Sequence, residues 1–221
     1  MISQALRAVV LAGAAAFCAA QAGAQGATPP YEAGKHYTVL DPAQPTSTDA
    51  GKVEVAEVFM FGCPGCYRFE PHLESWLERK ADYVNFVRIP AAWQGHRGAA
   101  LHARAYYAAE ELGLAEQIAG PFFDEFHVQQ NYLDTDEKIV AFFERFGVDE
   151  SAIRTALNSF AVNAKLKRAE ELIQRYRVGS TPSVVVNGKY VTTGSMAGSY
   201  EAWFAIIDEL AAREHGAAAS R

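Results

Sequence analysis

The sequence predicts an α/β domain interrupted by an all-helical subdomain, and three observations carry that reading. Residues 53–61 have the two-sided apolar pattern of a buried central strand, and residues 83–89 read as a second strand. From about residue 96 to 177, apolar residues recur at helical spacing. The strand pattern then resumes at Ser183–Val186, followed by Asn187-Gly188, a strong two-residue hairpin signal. At roughly 150 residues per domain, 221 residues allow one large domain or one domain with an insertion. Half the residues are hydrophobic and 12% are aromatic, enough for a sizeable core. The net charge is -6 with no basic run, which argues against nucleic-acid binding, because phosphate contacts need clustered cations.

Each element follows from its residues. Arg7 precedes an apolar run over 8–20 that is too short to span a bilayer. Ala22-Gly23-Ala24 then offers small residues where a signal peptidase reads, so residues 1–24 are expected to be a cleaved secretory signal. Cys18 would be lost with it, leaving Cys63 and Cys66 in a compartment where disulfides persist. Residues 25–50 read as an N-terminal arm with a short strand at 36–40. In the strand 53–61, Val53, Val55, Glu57, Phe59 and Phe61 share one face. Gly62 breaks the strand, and a helix opens near Cys63 with Pro64 in its first turn, where a missing N–H costs nothing. Its apolar stripe is Cys66, Phe69, Leu73, Trp76 and Leu77, and Pro71 should kink it. Aromatic stripes over the helical stretch, among them Phe122, Phe142, Phe143 and Phe160, read as a helical core. Residues 189–192 return the hairpin, and a helix over 200–213 closes the domain with Trp203, Phe204, Ile207 and Leu210 inward. The expected division is 51–92 plus 177–214 for the discontinuous α/β domain, 93–176 for the helical insertion, and 215–221 for a flexible tail.

The chemistry points to Cys63-Pro64-Gly65-Cys66 at the strand-to-helix junction. A disulfide across so short a loop adds little stability, because the entropic gain grows with loop length. Unpaired N–H groups and the helix dipole should stabilise a thiolate at Cys63. Cys66, one turn in and on the apolar stripe, should be buried and less nucleophilic. That asymmetry suits disulfide exchange. A structural disulfide and half of a zinc site are the alternatives; a zinc site needs two more ligands at suitable spacing, and His36, His72, His96, His102, His127 and His215 supply no such pattern. Glu57, six residues before Cys63 on a covered face, should be desolvated with a raised pKa, unless it is a solvated strand residue.

The chain resembles the DsbA family of periplasmic thiol:disulfide oxidoreductases. The resemblance rests on the Cys63–Cys66 motif followed by Tyr67, Phe69 and Glu70, on Thr181-Pro182, on the Asn-Gly-Lys-Tyr hairpin at 187–190 and on the long helical insert. It implies a thioredoxin fold with an all-helical domain inserted between the second and third sheet strands of the core. It also implies that Cys63 is the solvent-facing nucleophile, Cys66 the resolving sulfur and Pro182 a cis-proline; the residues alone fit an ordinary strand-start proline equally well. Thr181 would offer backbone groups to an extended substrate beside Pro64 and Gly65. Glu57 would exchange a proton with Cys66, and Arg88 would be its basic partner rather than a surface cation. Where the strongest oxidants of the family carry His before the second cysteine, this chain has Gly65, so a milder oxidant is expected.

The function expected is a periplasmic oxidase that introduces disulfides into exported proteins and is reoxidised by a quinone-linked membrane partner of the DsbB type. It needs no metal, nucleotide or flavin, binds no nucleic acid, is not stably inserted in the membrane and acts as a monomer. A reductase or isomerase would use the same motif, although residues 25–50 leave no room for an isomerase's dimerisation domain. A peptide-binding chaperone with a vestigial motif and a metal carrier are readings from other classes.

Overall fold

The computed structural model describes residues 30–219 of the chain. The expected signal sequence 1–24 and Cys18 lie outside them. In chain order the elements are β1 (Thr38–Val39), β2 (Val53–Phe59), α1 (Pro64–Leu77), β3 (Val84–Pro90), α2 (Ala99–Glu111), α3 (Ala115–His127), α4 (Asp136–Glu144), α5 (Glu150–Leu157), α6 (Phe160–Arg175), β4 (Ser183–Val186), β5 (Tyr190–Thr193), α7 (Gly194–Ala197) and α8 (Tyr200–Ala219). Among the described residues the strands form one mixed sheet in the order β1-β5-β4-β2-β3. Strand β2 runs parallel to β3 and antiparallel to β4, so it is paired on both edges. All seven of its residues are buried, as its two apolar faces require. Helices α2 to α6 are the insert between β3 and β4.

Two apolar cores cover the sheet. Phe69, Leu73 and Trp76 of α1 meet Trp203, Phe204, Ile207 and Leu210 of α8 over Val53, Val55, Val184 and Val186. The indole N–H of Trp76 donates to Asp208 across the two helices, at 2.8 Å. The second core joins Ala56, Val58, Phe59 and Phe61 to the insert, including Phe122, Phe123 and Phe142. Phe59 and Phe61 were expected on the face of Val53 and Val55, in a strand reaching Phe61. The ladder instead stops at Phe59, and both rings turn into the insert: Phe61 stacks on Phe122 at 4.0 Å and meets Phe123 edge-on at 4.9 Å.

Turn chemistry fixes the hairpin. Asn187 and Gly188 have φ of 51° and 60°, the left-handed pair that a tight turn between twisted strands demands. A side chain at Gly188 would stand 2.1 Å from the Gln44 carbonyl oxygen, so only glycine lets the arm cross here. The arm also contributes β1, which pairs with β5, and it buries Tyr37 and Leu40.

Two further expectations need correction. The closing helix does not end near 213 with a flexible tail from 215; α8 continues to Ala219. Buried Glu214 anchors it, accepting hydrogen bonds from Asn187 (2.9 Å), Lys189 (2.8 Å) and the Tyr190 hydroxyl (3.0 Å). His215 stacks on Tyr83 at 4.0 Å, and the alanines that follow favour helix. Phe160 does not join the helical core: it opens α6 just after the capping residue Ser159 and is 88% exposed. We predict that Glu214→Ala lowers the stability of the protein by about 1–3 kcal/mol, because buried donors lose their acceptor. Urea unfolding with an unchanged slope checks it; a midpoint equal to that of the unaltered protein would contradict the anchoring role.

Candidate active site

Strand β2 and helix α1 deliver the two cysteines. Residue 62 must pass close to the insert: a Cβ on Gly62 would stand 3.0 Å from the Phe126 ring. Cys63 caps α1, and its sulfur accepts a hydrogen bond from the Cys66 backbone N–H at 3.4 Å. It is half-buried, whereas Cys66 is fully buried, and both are free thiols. The exposed-and-sheltered asymmetry expected from the helix position is therefore present.

The Thr181–Pro182 peptide is cis, and it lies against the cysteines. When protonated, the Cys63 thiol donates to the Thr181 carbonyl at 3.3 Å. Gly65 is in the same contact: a Cβ there would be 3.1 Å from Pro182 Cδ and 3.6 Å from the Cys63 sulfur. Cys63, Gly65, Thr181 and Pro182 thus form one surface, assembled from segments 118 residues apart. Pro64 is exposed at the first position of α1.

The electrostatics of the two sulfurs diverge. Hydrogen bonding from the Cys66 side chain acts most strongly on Cys63. Burial opposes it, while the Thr181 side chain and the N–H groups of Cys66 and Gly65 assist. Together they bring the Cys63 pKa down to about 5, from an ordinary 9.0. The helix N-terminus expected to do this contributes through those N–H groups, each of which acts less strongly than the Cys66 thiol. Burial pushes Cys66 far the other way, and its hydrogen bond to Cys63 adds to this.

Beneath the pair lies a buried charge cluster. Glu57 of β2 sits directly across from Arg88 of β3 in the parallel register. Arg88 Nε is 3.3 Å from Glu57 Oε2, and Arg88 Nη2 donates to Glu70 of α1 at 2.6 Å. Neither Glu57 oxygen has a hydrogen-bond partner. The Arg88 contact is therefore Coulombic, and burial prevails over it: Glu57 is pushed up to about 8, from 4.5. Its charge in turn acts on Cys66.

Every residue expected at the site is gathered here. Arg88, which sequence alone left open as a surface cation, is 8% exposed and paired. Glu70 was missed as a member. Its signal was legible, since it lies four residues after Cys66, on the side of α1 that buries Phe69 and Leu73. His127 was missed too: its ring contacts the Phe61 carbonyl, 66 residues away, and no local pattern marks it. His102 is a buried core histidine held by the Tyr132 carbonyl at 2.8 Å. Among the described residues no group of three or more His, Cys, Asp or Glu is placed to hold a metal ion.

The titrations have signs that can be checked. Cys63 has a folded pKa below its unfolded value, so its contribution to the stability of the reduced protein is complete above about 9 and is lost as pH falls through about 5. Glu57 has a raised folded pKa, so it opposes folding increasingly as pH rises from 4.5 to about 8. We predict that Glu57→Gln removes this opposition, and that stability of the reduced variant climbs more steeply over that window than in the unaltered protein. Parallel denaturation curves as a function of pH test it; identical slopes would mean that Glu57 titrates normally.

Comparison with known proteins agrees with this geometry. Residues 54–200 match the family described as DSBA-like thioredoxin domain. The thiol:disulfide interchange protein DsbA of Burkholderia cepacia is 36% identical over 177 residues, covering 80% of this chain and 82% of the relative. The protein of the same name from Pseudomonas aeruginosa is 35% identical over 188 residues, 85% of this chain and 88% of that one. The crystal structure of Pseudomonas aeruginosa DsbA superposes with a TM-score of 0.79 at 35% identity, over 85% of this chain and 96% of that chain. The oxidoreductase DsbA from Xylella fastidiosa does so with a TM-score of 0.77 at 29% identity, over 84% and 98%. Because the matched region takes in both cysteines, the cis-proline and the whole helical insert, the chain belongs to the DsbA family of thiol:disulfide oxidoreductases.

Proposed function

We propose that the chain works as an oxidase, introducing disulfides into exported proteins in the periplasm, where its DsbA relatives act. The observation that carries this direction is the position of the Cys63 sulfur at the start of α1, where the Cys66 N–H donates to it at 3.4 Å and its thiolate is favoured. A reduced form held by several donors makes the disulfide a strong electron acceptor.

In the oxidised protein, a substrate thiolate attacks the Cys63 sulfur. The bond between the Cys63 and Cys66 sulfurs breaks and a mixed disulfide forms on Cys63. The electron pair leaves on Cys66, whose buried surroundings strongly disfavour a thiolate. A proton must arrive there, and Glu57, protonated around neutral pH, supplies it. Arg88 and Glu70 hold the compensating charges. A second substrate thiolate then attacks the substrate sulfur and expels the Cys63 thiolate. The substrate has lost two electrons and the cysteine pair has gained them. Thr181 and Pro182, beside Pro64 and Gly65, take the extended substrate chain by strand-like contact. A quinone-linked membrane protein of the DsbB type restores the disulfide. The cysteines and the cis-proline come from one chain, so a monomer suffices. Among the described residues no helix is long and apolar enough to cross a membrane.

Gly65 leaves the motif without an imidazolium near the sulfur, so the chain is a milder oxidant than family members with His there. We predict that Gly65→His shifts the equilibrium with glutathione toward the reduced protein, once Pro182 yields the few tenths of an ångström that a Cβ requires. An unchanged or reversed equilibrium would remove the electrostatic argument.

The central test is titration of thiolate absorbance in the reduced protein. One sulfur should ionise near pH 5; a midpoint near that of free cysteine would overturn the oxidase reading and favour a reductase. Cys66→Ala should accumulate mixed disulfides with client proteins. Cys63→Ala should abolish oxidative folding of a reduced substrate, and retained activity would favour a chaperone.

A further inference from the structure

The loop that carries Cys63 is gripped from outside the α/β domain. His127, the last residue of α3, places Nε2 2.8 Å from the carbonyl oxygen of Phe61. A carbonyl can only accept, so this nitrogen carries the hydrogen and the ring donates. The Phe61 carbonyl lies beyond the ladder of β2, which ends at Phe59. The imidazole is itself held in place. It stacks on Tyr67 of α1 at 4.8 Å and 14°, and it leans on Phe126 at 5.0 Å. The Tyr67 hydroxyl donates back to Asp124 of α3 at 3.1 Å.

We propose that His127 is a positioning residue for the redox pair. Its N–H fixes the peptide plane between Phe61 and Gly62, and so holds the Cys63 sulfur within reach of the donors that stabilise its thiolate. The inference rests on the reading of Cys63 as the exchanging sulfur. Glycine at 62 has wide backbone freedom, so a peptide plane released there can rotate. Cys63 begins one residue later. Its bond from the Cys66 N–H, at 3.4 Å, has an ordinary length for a sulfur acceptor, and hydrogen bonds weaken steeply once their angle opens. A small rotation at Gly62 therefore acts directly on the sulfur. Within the motif itself Gly65 has no side chain with which to anchor the loop. The turn has its own bond, from the Cys63 N–H to the Met60 carbonyl at 3.1 Å, but that bond leaves the Phe61 carbonyl to the helical insert, whose His127 N–H holds it.

Three substitutions separate the donor from the ring. His127→Phe keeps a stacking ring without the donor, His127→Gln keeps a donor without the ring, and His127→Leu has neither. For each, the Cys63 thiolate midpoint and the glutathione equilibrium are measured alongside thermal unfolding. His127→Phe and His127→Leu should raise the midpoint and weaken oxidation of glutathione by about tenfold, the scale of one hydrogen bond to a charged group. His127→Gln should recover most of that loss. An unmoved midpoint in His127→Phe overturns the proposal even if the melting temperature falls, since packing alone would do that. Equal shifts in the Phe and Gln variants overturn it as well. Should the variants fail to fold, nitrogen chemical shifts of the unaltered protein decide: Nε2–H supports the proposal, and an Nδ1–H tautomer overturns it. A Cys63 midpoint at the free-cysteine value in the unaltered protein would instead defeat the oxidase reading itself.

Discussion

Hydrogen-bond donors converge on the sulfur of Cys63, and the chemistry follows from that convergence. The sulfur caps α1, where backbone N–H groups have no intrahelical acceptor. The Cys66 side chain points at it from one turn further in and acts on it most strongly. A negative charge is easier to hold there than on an ordinary thiol. The same arrangement makes Cys66 a poor thiolate, because it is buried and already donating. The two sulfurs share an element and a motif yet differ in ionisation because one faces solvent and the other faces the core.

On the mechanism proposed above, a buried sulfur that leaves as an anion needs a proton source that is also out of water, and the sheet holds a candidate for it. Parallel pairing of β2 with β3 sets Glu57 opposite Arg88, and α1 adds Glu70 from above the same region. One guanidinium serves two carboxylates but gives its short hydrogen bond to Glu70 alone. Glu57 is left desolvated without a hydrogen bond, and so keeps its proton to about pH 8. An incompletely satisfied buried carboxylate is costly for stability. Its persistence beneath the cysteines is understandable as a functional cost.

The helical insert does more than enlarge the molecule. Phe122 and Phe123 receive the rings of Phe59 and Phe61, which leave the sheet face as the strand ends. Phe126 and His127 then close on Gly62 and on the Phe61 carbonyl. The loop that carries Cys63 is thereby wedged between two apolar cores, one built on α1 and α8 and the other on the insert. The cis-proline segment arrives from the far side of the insert in sequence, so residues on both flanks of the inserted helices must meet for the site to exist.

Local pattern determined a good deal by itself: the order of strands and helices, the opening of α1 at Cys63, the glycine-dependent turn at 187–188 and the burial of Glu57. These depend on periodicity, proline and glycine geometry, and charge within a short window. Resemblance of motifs added the cis-proline and the basic partner. Tertiary structure alone decided that Phe160 faces solvent, that α8 runs on past Glu214, that Arg88 prefers Glu70 to Glu57 and that His127 reaches Phe61. Each of those depends on a partner distant in the chain. A one-dimensional pattern records which residues want to leave water, but not which group they will meet when they do.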